Sequence, residues 1–176
     1  MIPRWCGPLL LVLALAACDD APTALPPPVE VTAEAVGHYC GMLLAEHAGP
    51  KGQAHLRSRS EPYWFSSARD ALIFARLPEE PRDVAAIYVT DLAKAQSWDH
   101  PAPGSWVEAH EAWFVIESGR RGGMGGPEAA PFSDEEAARR FALEHGGRVV
   151  RFSEVPDAYL FDPGAPGDET GGHAGH

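Results

Sequence analysis

Cys40, Gly41 and Met42 form a tripeptide that begins two residues after His38, and a further methionine, Met124, sits in the glycine run Gly122-Gly123-Met124-Gly125-Gly126. Thiolate, thioether and imidazole are together the donors that a monovalent copper ion prefers. On a strand, His38, Cys40 and Met42 would project from one face. Alternatively, Gly41 lets the backbone turn tightly and gathers Cys40 and Met42 round a common centre. Either geometry permits chelation. A plainer reading makes Cys40 and Met42 adaptable core residues that lead into Leu43-Leu44. Met124 weighs against it: flanked by glycines and followed by Pro127, it belongs to no periodic apolar face and is expected on a loop, free to reach a metal. His47, within Glu46-His47-Ala48-Gly49-Pro50-Lys51-Gly52, rivals His38 as the imidazole ligand. His55, His100, His110 and His145 are expected to be surface or structural residues. His173 and His176 could add weak capture only, because ordering a disordered tail costs entropy.

The donor set depends on what the mature chain is. Arg4, an apolar stretch from Leu9 to Ala17, and Leu15-Ala16-Ala17-Cys18 read as a leader with a lipobox, residues 1–17, after which Cys18 is the lipid attachment site. The stretch is too short to span a bilayer permanently. Acyl chains on Cys18 would anchor the protein, and Asp19 resembles the signal that keeps bacterial lipoproteins on the inner membrane. Residues 18–29, with Pro22 and Pro26-Pro27-Pro28, read as a semi-rigid spacer. The folded domain is expected over 30–162, and the Gly- and His-bearing segment 163–176 as a disordered tail. Cys6 leaves with the leader and Cys18 is lipidated, so Cys40 is expected to be a lone thiol in an oxidising compartment. Losing Arg4 makes the formal net charge of −11 one unit more negative. So acidic a chain excludes nucleic acid and anionic headgroups as partners.

The elements that must position these residues repeat. Phe65-Ser66, Ala71 and Phe74-Ala75 are echoed sixty-seven positions later by Phe132-Ser133, Ala138 and Phe141-Ala142. Each copy reads as a helix. The second is expected to open on a Ser133–Glu136 capping box and stop at Gly146-Gly147; the first is expected to be capped by Ser66 or Ser67 and ended by Pro78. Strand patterns follow at 85–90 and 148–152 and precede at 53–57, 62–65, 106–110 and 112–117. The fold class is therefore α+β, a single domain of two β-β-α-β repeats.

Other chemistries find little support. There is no Gly-x-Ser-x-Gly, no His-Glu-x-x-His and no phosphate loop. The acid pairs Glu79-Glu80 and Glu135-Glu136 read as solvated surface and helix start. A Cys40 nucleophile lacks a visible orienting acid or oxyanion element. An enzyme acting on sulfur or organometal bonds through Cys40, and a non-catalytic docking lipoprotein, stand as the alternatives to copper binding.

Seven segments in order resemble those of the NosL family: Tyr39-Cys40-Gly41-Met42, Glu46-His47-x-Gly49-Pro50-Lys51, Tyr63-Trp64-Phe65-Ser66-Ser67, Tyr88-Val89-Thr90-Asp91, Ser97-Trp98-Asp99, Gly123-Met124-Gly125-Gly126-Pro127-Glu128 and His145-Gly146-Gly147. The resemblance runs from about Gly37 to Tyr159. It implies a periplasmic lipoprotein, not an enzyme, that holds Cu(I) and supplies it for assembly of nitrous oxide reductase, chiefly its copper-sulfide site. The reductase apoprotein or its assembly proteins would be the partners. It also implies a fold of repeated β-β-α-β units similar to organomercurial lyase. The family's copper motif carries over as Cys40 and Met42. Met124 matches a family segment, while His38 is chosen on spacing. The family often carries another cysteine before Cys-Gly-Met, where this chain has His38 and Tyr39.

Overall fold

The computed structural model describes residues 24–162; the leader, Cys18 and the tail from 163 lie outside the described residues. Two sheets carry the chain. The first is built from β1 (Gly52–Leu56), β2 (Tyr63–Phe65), β3 (Val84–Thr90) and β4 (Trp106–Glu108) in the order β2-β1-β3-β4. The second is built from β5 (Trp113–Ile116), β6 (Ala130–Phe132) and β7 (Arg148–Arg151) in the order β6-β5-β7. Helix α1 (Ala68–Arg76) links β2 to β3 and helix α2 (Glu135–His145) links β6 to β7. All strand pairs are antiparallel. In each sheet the first strand of a β-β-α-β unit lies between the second and the third, so the two units share one topology.

The second unit is not composed as its sequence suggests. The strand at Trp106–Glu108 forms, but it pairs with β3, with Thr90 opposite Trp106, and so completes the first sheet. The place corresponding to β2 is taken by Ala130–Phe132, which the pattern does not announce. It has three residues and contains Pro131, which donates nothing to a ladder and is tolerated because β6 is an edge. Phe65 in β2 and Phe132 in β6 are the equivalent residues of the sixty-seven-residue echo. The β5–β6 connection, residues 117–129, is longer than the β1–β2 connection, residues 57–62, and it carries Met124.

The helix starts follow local chemistry. Ser67 caps α1, its hydroxyl accepting from the Asp70 amide at 3.1 Å. The second cap is Asp134 rather than Ser133: its carboxylate accepts from the Ala137 amide at 2.8 Å. Ser133 instead uses its amide to donate to Asp91 at 2.9 Å, which ties the end of β3 to the end of β6. Leu92 adds a backbone bond to Pro131 at 2.9 Å. A short helix, α3 (Asp157–Phe161), closes the described chain and is held by α1, whose Arg69 guanidinium donates to the carbonyls of Tyr159 and Leu160 at 2.9 and 2.8 Å.

One core joins the sheets. Ala54, Leu56, Ile87 and Val89 from the first sheet and Phe114, Ile116 and Val150 from the second pack with Leu72 and Phe74 of α1. The alternate residues of β5, Trp113 and Val115, face the other way and pack with Ala138 and Phe141 of α2. Contact between α1 and β1 is close enough that Gly52 is obligatory, because a Cβ there would lie 2.5 Å from the Ala71 Cβ.

Part of the expected spacer is docked. Val29 exchanges two hydrogen bonds with the Gln53 side chain, both 2.9 Å, and the Tyr88 hydroxyl donates to the Pro26 carbonyl at 2.7 Å. Gln53, fully buried in β1, is satisfied this way and by His55 Nε2 at 2.8 Å.

Glu128, just before β6, is a buried carboxyl, 1% exposed. Its Oε1 accepts from the amides of Arg69 and Ala129, both at 2.9 Å, while Oε2 has no partner among the described residues. Burial pushes its pKa up from 4.5 to about 8. The folded protein therefore keeps a proton that the open chain has already lost between those values. The stability this group contributes is complete at low pH and is lost as pH rises through about 8. Burial raises Asp70 in the same direction, so the comparison must be with a variant.

Two outcomes are expected. Gly52→Ala should lower the unfolding free energy in urea by about 1–3 kcal/mol, the usual cost of overpacking. Glu128→Gln, which keeps the shape but cannot ionise, should flatten the decline in stability between pH 5 and 8 that parallel urea titrations of the parent protein record.

Candidate metal centre

The Cys40 segment is a closed turn rather than a strand. Val36 and Leu43 pair as an isolated antiparallel bridge, the Gly37 amide donates to the Met42 carbonyl at 2.9 Å, and the Gly41 amide donates to the Gly37 carbonyl at 2.8 Å. Gly41 turns the chain with φ +67°, a conformation that β-carbon sterics disfavour. The thiol then folds back over Gly37, where a Cβ would stand 2.5 Å from Cys40 Sγ. A glycine-dependent turn forms here in place of a strand. Cys40 is half-buried and is the free cysteine among the described residues. Around it Val36, Tyr39, Met42 and Leu43 are exposed, Met42 by 37%, so the plainer reading of that methionine as core does not hold. The Gly37–Gly41 backbone borders an open groove of about 710 Å³.

His38 starts this turn but its ring is engaged elsewhere. Its amide donates to the Trp64 carbonyl at 2.7 Å, and its imidazole lies 4.4 Å from the Tyr63 ring and 4.9 Å from the Tyr39 ring. Nε2 stands 3.4 Å from Glu80 Oε1. The Tyr39 hydroxyl donates to the same oxygen at 3.0 Å, and burial, then Glu80, lifts that phenol above its ordinary range. Sequence reasoning gave Glu80 to the solvated surface; here it partners both aromatic side chains before Cys40.

Met124 lies in a tight hairpin. Arg121 and Pro127 form an antiparallel bridge, the Gly122 amide donates to the Gly126 carbonyl at 2.9 Å, and Gly125 adopts φ +78° and donates to the Gly122 carbonyl at 2.8 Å. This puts Met124 on a loop, as expected, with 52% of its surface exposed. The hairpin is docked rather than free. Gly123 rests on the His47-Ala48 backbone so closely that a Cβ would come within 2.6 Å of the His47 Cβ and 2.5 Å of the Ala48 carbonyl oxygen.

His47 is thereby placed between the two sulfur-bearing turns in the chain. It caps the single 3-10 turn Leu44–Glu46 that follows Met42-Leu43, and it lies under the hairpin that carries Met124. Its Nδ1 is 3.3 Å from the Gly123 carbonyl, which can only accept, so the proton belongs on Nδ1. Nε2 is left with its lone pair, buried and without a hydrogen-bond partner among the described residues. Metal-ligating histidines are prepared in this way, one nitrogen held by a carbonyl and the other vacant.

Three other histidines among the described residues are occupied as structural residues are. His55 bonds Gln53, His110 Nδ1 lies 2.8 Å from Glu108 Oε1, and His145 packs on the Phe141 ring at 4.4 Å. No group of three or more His, Cys, Asp or Glu side chains able to hold a metal exists among the described residues. Met42 and Met124 would add thioether donors, which select soft ions. The sequence reading missed Gly37, Lys51 and Glu128. The last two stand at the ends of the His47 and Met124 segments, each close behind a proline, and that position was the available signal.

Comparison with known proteins bears on this arrangement. The model of the NosL family matches residues 28–160. The copper-binding lipoprotein NosL of Achromobacter cycloclastes is 42% identical over 156 residues, 88% of this chain and 81% of that protein. The copper-binding lipoprotein NosL of Stutzerimonas stutzeri is 33% identical over 149 residues, 79% and 76% of the two chains. The crystal structure of the copper chaperone NosL from Shewanella denitrificans superimposes with a TM-score of 0.70 at 32% identity, covering 76% of this chain and 99% of that one. With the family model covering the docked segment at Val29, both sheets and both sulfur-bearing turns, the chain belongs to the NosL family.

Proposed function

We propose that the protein is a membrane-anchored copper(I) carrier that holds its ion through Cys40, Met42, Met124 and one imidazole. The observation that carries the reading is the Met124 hairpin seated on His47, which caps the 3-10 turn following Met42-Leu43 and keeps Nε2 without a hydrogen-bond partner among the described residues. The same observation favours His47 over His38, which spends its ring on Tyr63, Tyr39 and Glu80. The names of the relatives, a copper-binding lipoprotein and a copper chaperone, agree with this chemistry.

The ion is cargo. Cu(I) has a filled d shell and imposes little geometry, so two sulfurs and one imidazole drawn from this set hold it at any moment, at low coordination and with a side left open. A donor from the acceptor protein adds before a carrier donor leaves, and no redox step is needed. The exposure of Met42 and Met124 suits such an exchange. The family resemblance directs the copper to nitrous oxide reductase. Asp19, after the lipobox cysteine, supports an exchange at the outer face of a bacterial inner membrane, and no helix of the described residues is long and apolar enough to cross one. Anchoring raises the local concentration of carrier near a membrane-attached acceptor. The thiolate is the binding form, so copper uptake releases a proton and binding weakens as pH falls.

The test is Cu(I) competition with a chelator of known affinity. Cys40→Ser is expected to cost more than the roughly 10–100-fold that loss of an outer hydrogen-bond partner costs. Met42→Leu and Met124→Leu should each weaken binding, and His47→Ala should weaken it more than His38→Ala. Unchanged binding by Cys40→Ser/Met42→Leu would end the copper reading. Delivery is checked by copper uptake into the metal-free reductase, which should fail with the same double variant. A docking protein without copper chemistry would instead keep its function in that variant.

A further inference from the structure

Two ionisable side chains are buried beneath the paired loops, and the copper reading does not use them. Lys51 is 7% exposed and Glu128 1%. Lys51 Nζ donates to the carbonyls of Ala48 and Gly49 at 3.1 and 2.6 Å, the two residues that follow His47. Gly49 in turn lies against Gly123, since a Cβ at that position would be 3.6 Å from the Gly123 amide nitrogen. On the other side, Glu128 Oε2 presses on the foot of the Met124 hairpin, 2.8 Å from where a Gly122 Cβ would be. Its Oε1 is locked by the amides of Arg69 and Ala129, and its own carbonyl accepts from the Tyr159 hydroxyl at 2.8 Å. The carboxyl is thus pinned to the start of α1 and buttresses the loop above it.

Stability alone does not account for this pair. Buried ionisable partners cost more in desolvation than apolar residues of the same volume, which often serve the fold as well or better. Burial pushes both groups toward neutrality, Lys51 down to about 8 and Glu128 up to about 8. What these residues supply that apolar ones do not is direction: fixed hydrogen bonds to the backbone of one loop and a fixed polar wall under the other.

We propose that Lys51 and Glu128 are positioning residues for the copper site: the buried ammonium sets the His47–Gly49 turn, and the buried carboxyl seats the base of the Met124 hairpin that rests on it. Imidazole and thioether are then held together before metal arrives. This rests on the copper reading above and adds that the Met124 loop is preorganised from below. The general principle is familiar, since outer partners that orient metal ligands matter nearly as much as the ligands.

The experiment uses the full mature protein loaded with one equivalent of Cu(I), with three readouts: competition affinity, the sulfur-to-nitrogen ratio from X-ray absorption, and the unfolding midpoint without metal. Lys51→Leu/Glu128→Leu removes both polar head groups with little change in volume and adds no sulfur. Its unfolding midpoint is expected to be unchanged or higher, while affinity falls roughly 10–100-fold and fewer sulfur scatterers remain. Gly122→Ala, which forces the hairpin off Glu128 without touching either charge, should reproduce the affinity and scatterer losses. Adding Met124→Leu to either variant should then cost little more, because the thioether is already out of place.

Unchanged affinity with a lowered midpoint would overturn the proposal, as would full additivity with Met124→Leu. If the double variant does not fold, Gly122→Ala decides alone by the same criteria. Cys40→Ser separates the two levels. Should it still bind copper, the copper reading itself fails; should it lose copper while the Lys51, Glu128 and Gly122 variants keep theirs, only the positioning role fails.

Discussion

Everything at the candidate site depends on one backbone-to-backbone contact, the seating of Gly123 on His47 and Ala48. Two loops approach this closely only where side chains are missing, and here a methyl group on Gly123 would overlap both residues. The contact does two things at once. It fixes the hairpin that carries Met124, and through the Gly123 carbonyl it fixes the tautomer of His47. Residues more than seventy positions apart are thereby brought into backbone contact, with the entropy of ordering the loops already lost on folding.

The duplicated fold explains where the second loop comes from. Both units place their first strand at the centre of three, and both have a helix after the second strand. They differ in the connection between first and second strands, which is short in the first unit and long enough in the second to form the glycine hairpin. The scaffold is repeated, while the glycine hairpin that carries Met124 is added in the second copy only. The first unit contributes through the stretch leading into β1, where His47, Gly49 and Lys51 precede and open the strand. Asp91 then links the units by accepting from Ser133.

Much of this was legible in the sequence, for identifiable reasons. Helix α1 was announced by Ser67 and Pro78, and the echo of Phe65 by Phe132 located the helix pair. The glycine on either side of Met124 marked its loop. What was hidden depends on partners distant in the chain. Pro131 concealed β6, because a proline argues against a strand unless the edge position is known. Asp134 rather than Ser133 caps α2, and nothing local shows that the Ser133 amide is anchored on Asp91, forty-two residues earlier. His38 looked better than His47 on spacing alone; nothing local shows that Tyr63 and Glu80 come to meet its ring. Nothing local shows that Lys51 and Glu128 are buried, because burial is a tertiary property.

The edge at β6 has one more consequence. An outermost strand ordinarily offers a row of bare amides and carbonyls on which a foreign strand can zip itself. Here the central residue of that row has no amide hydrogen to offer, and its carbonyl is already taken by Leu92. Copies concentrated side by side are refused a template for fibre-like growth at that rim, so contact there has to be made through side chains.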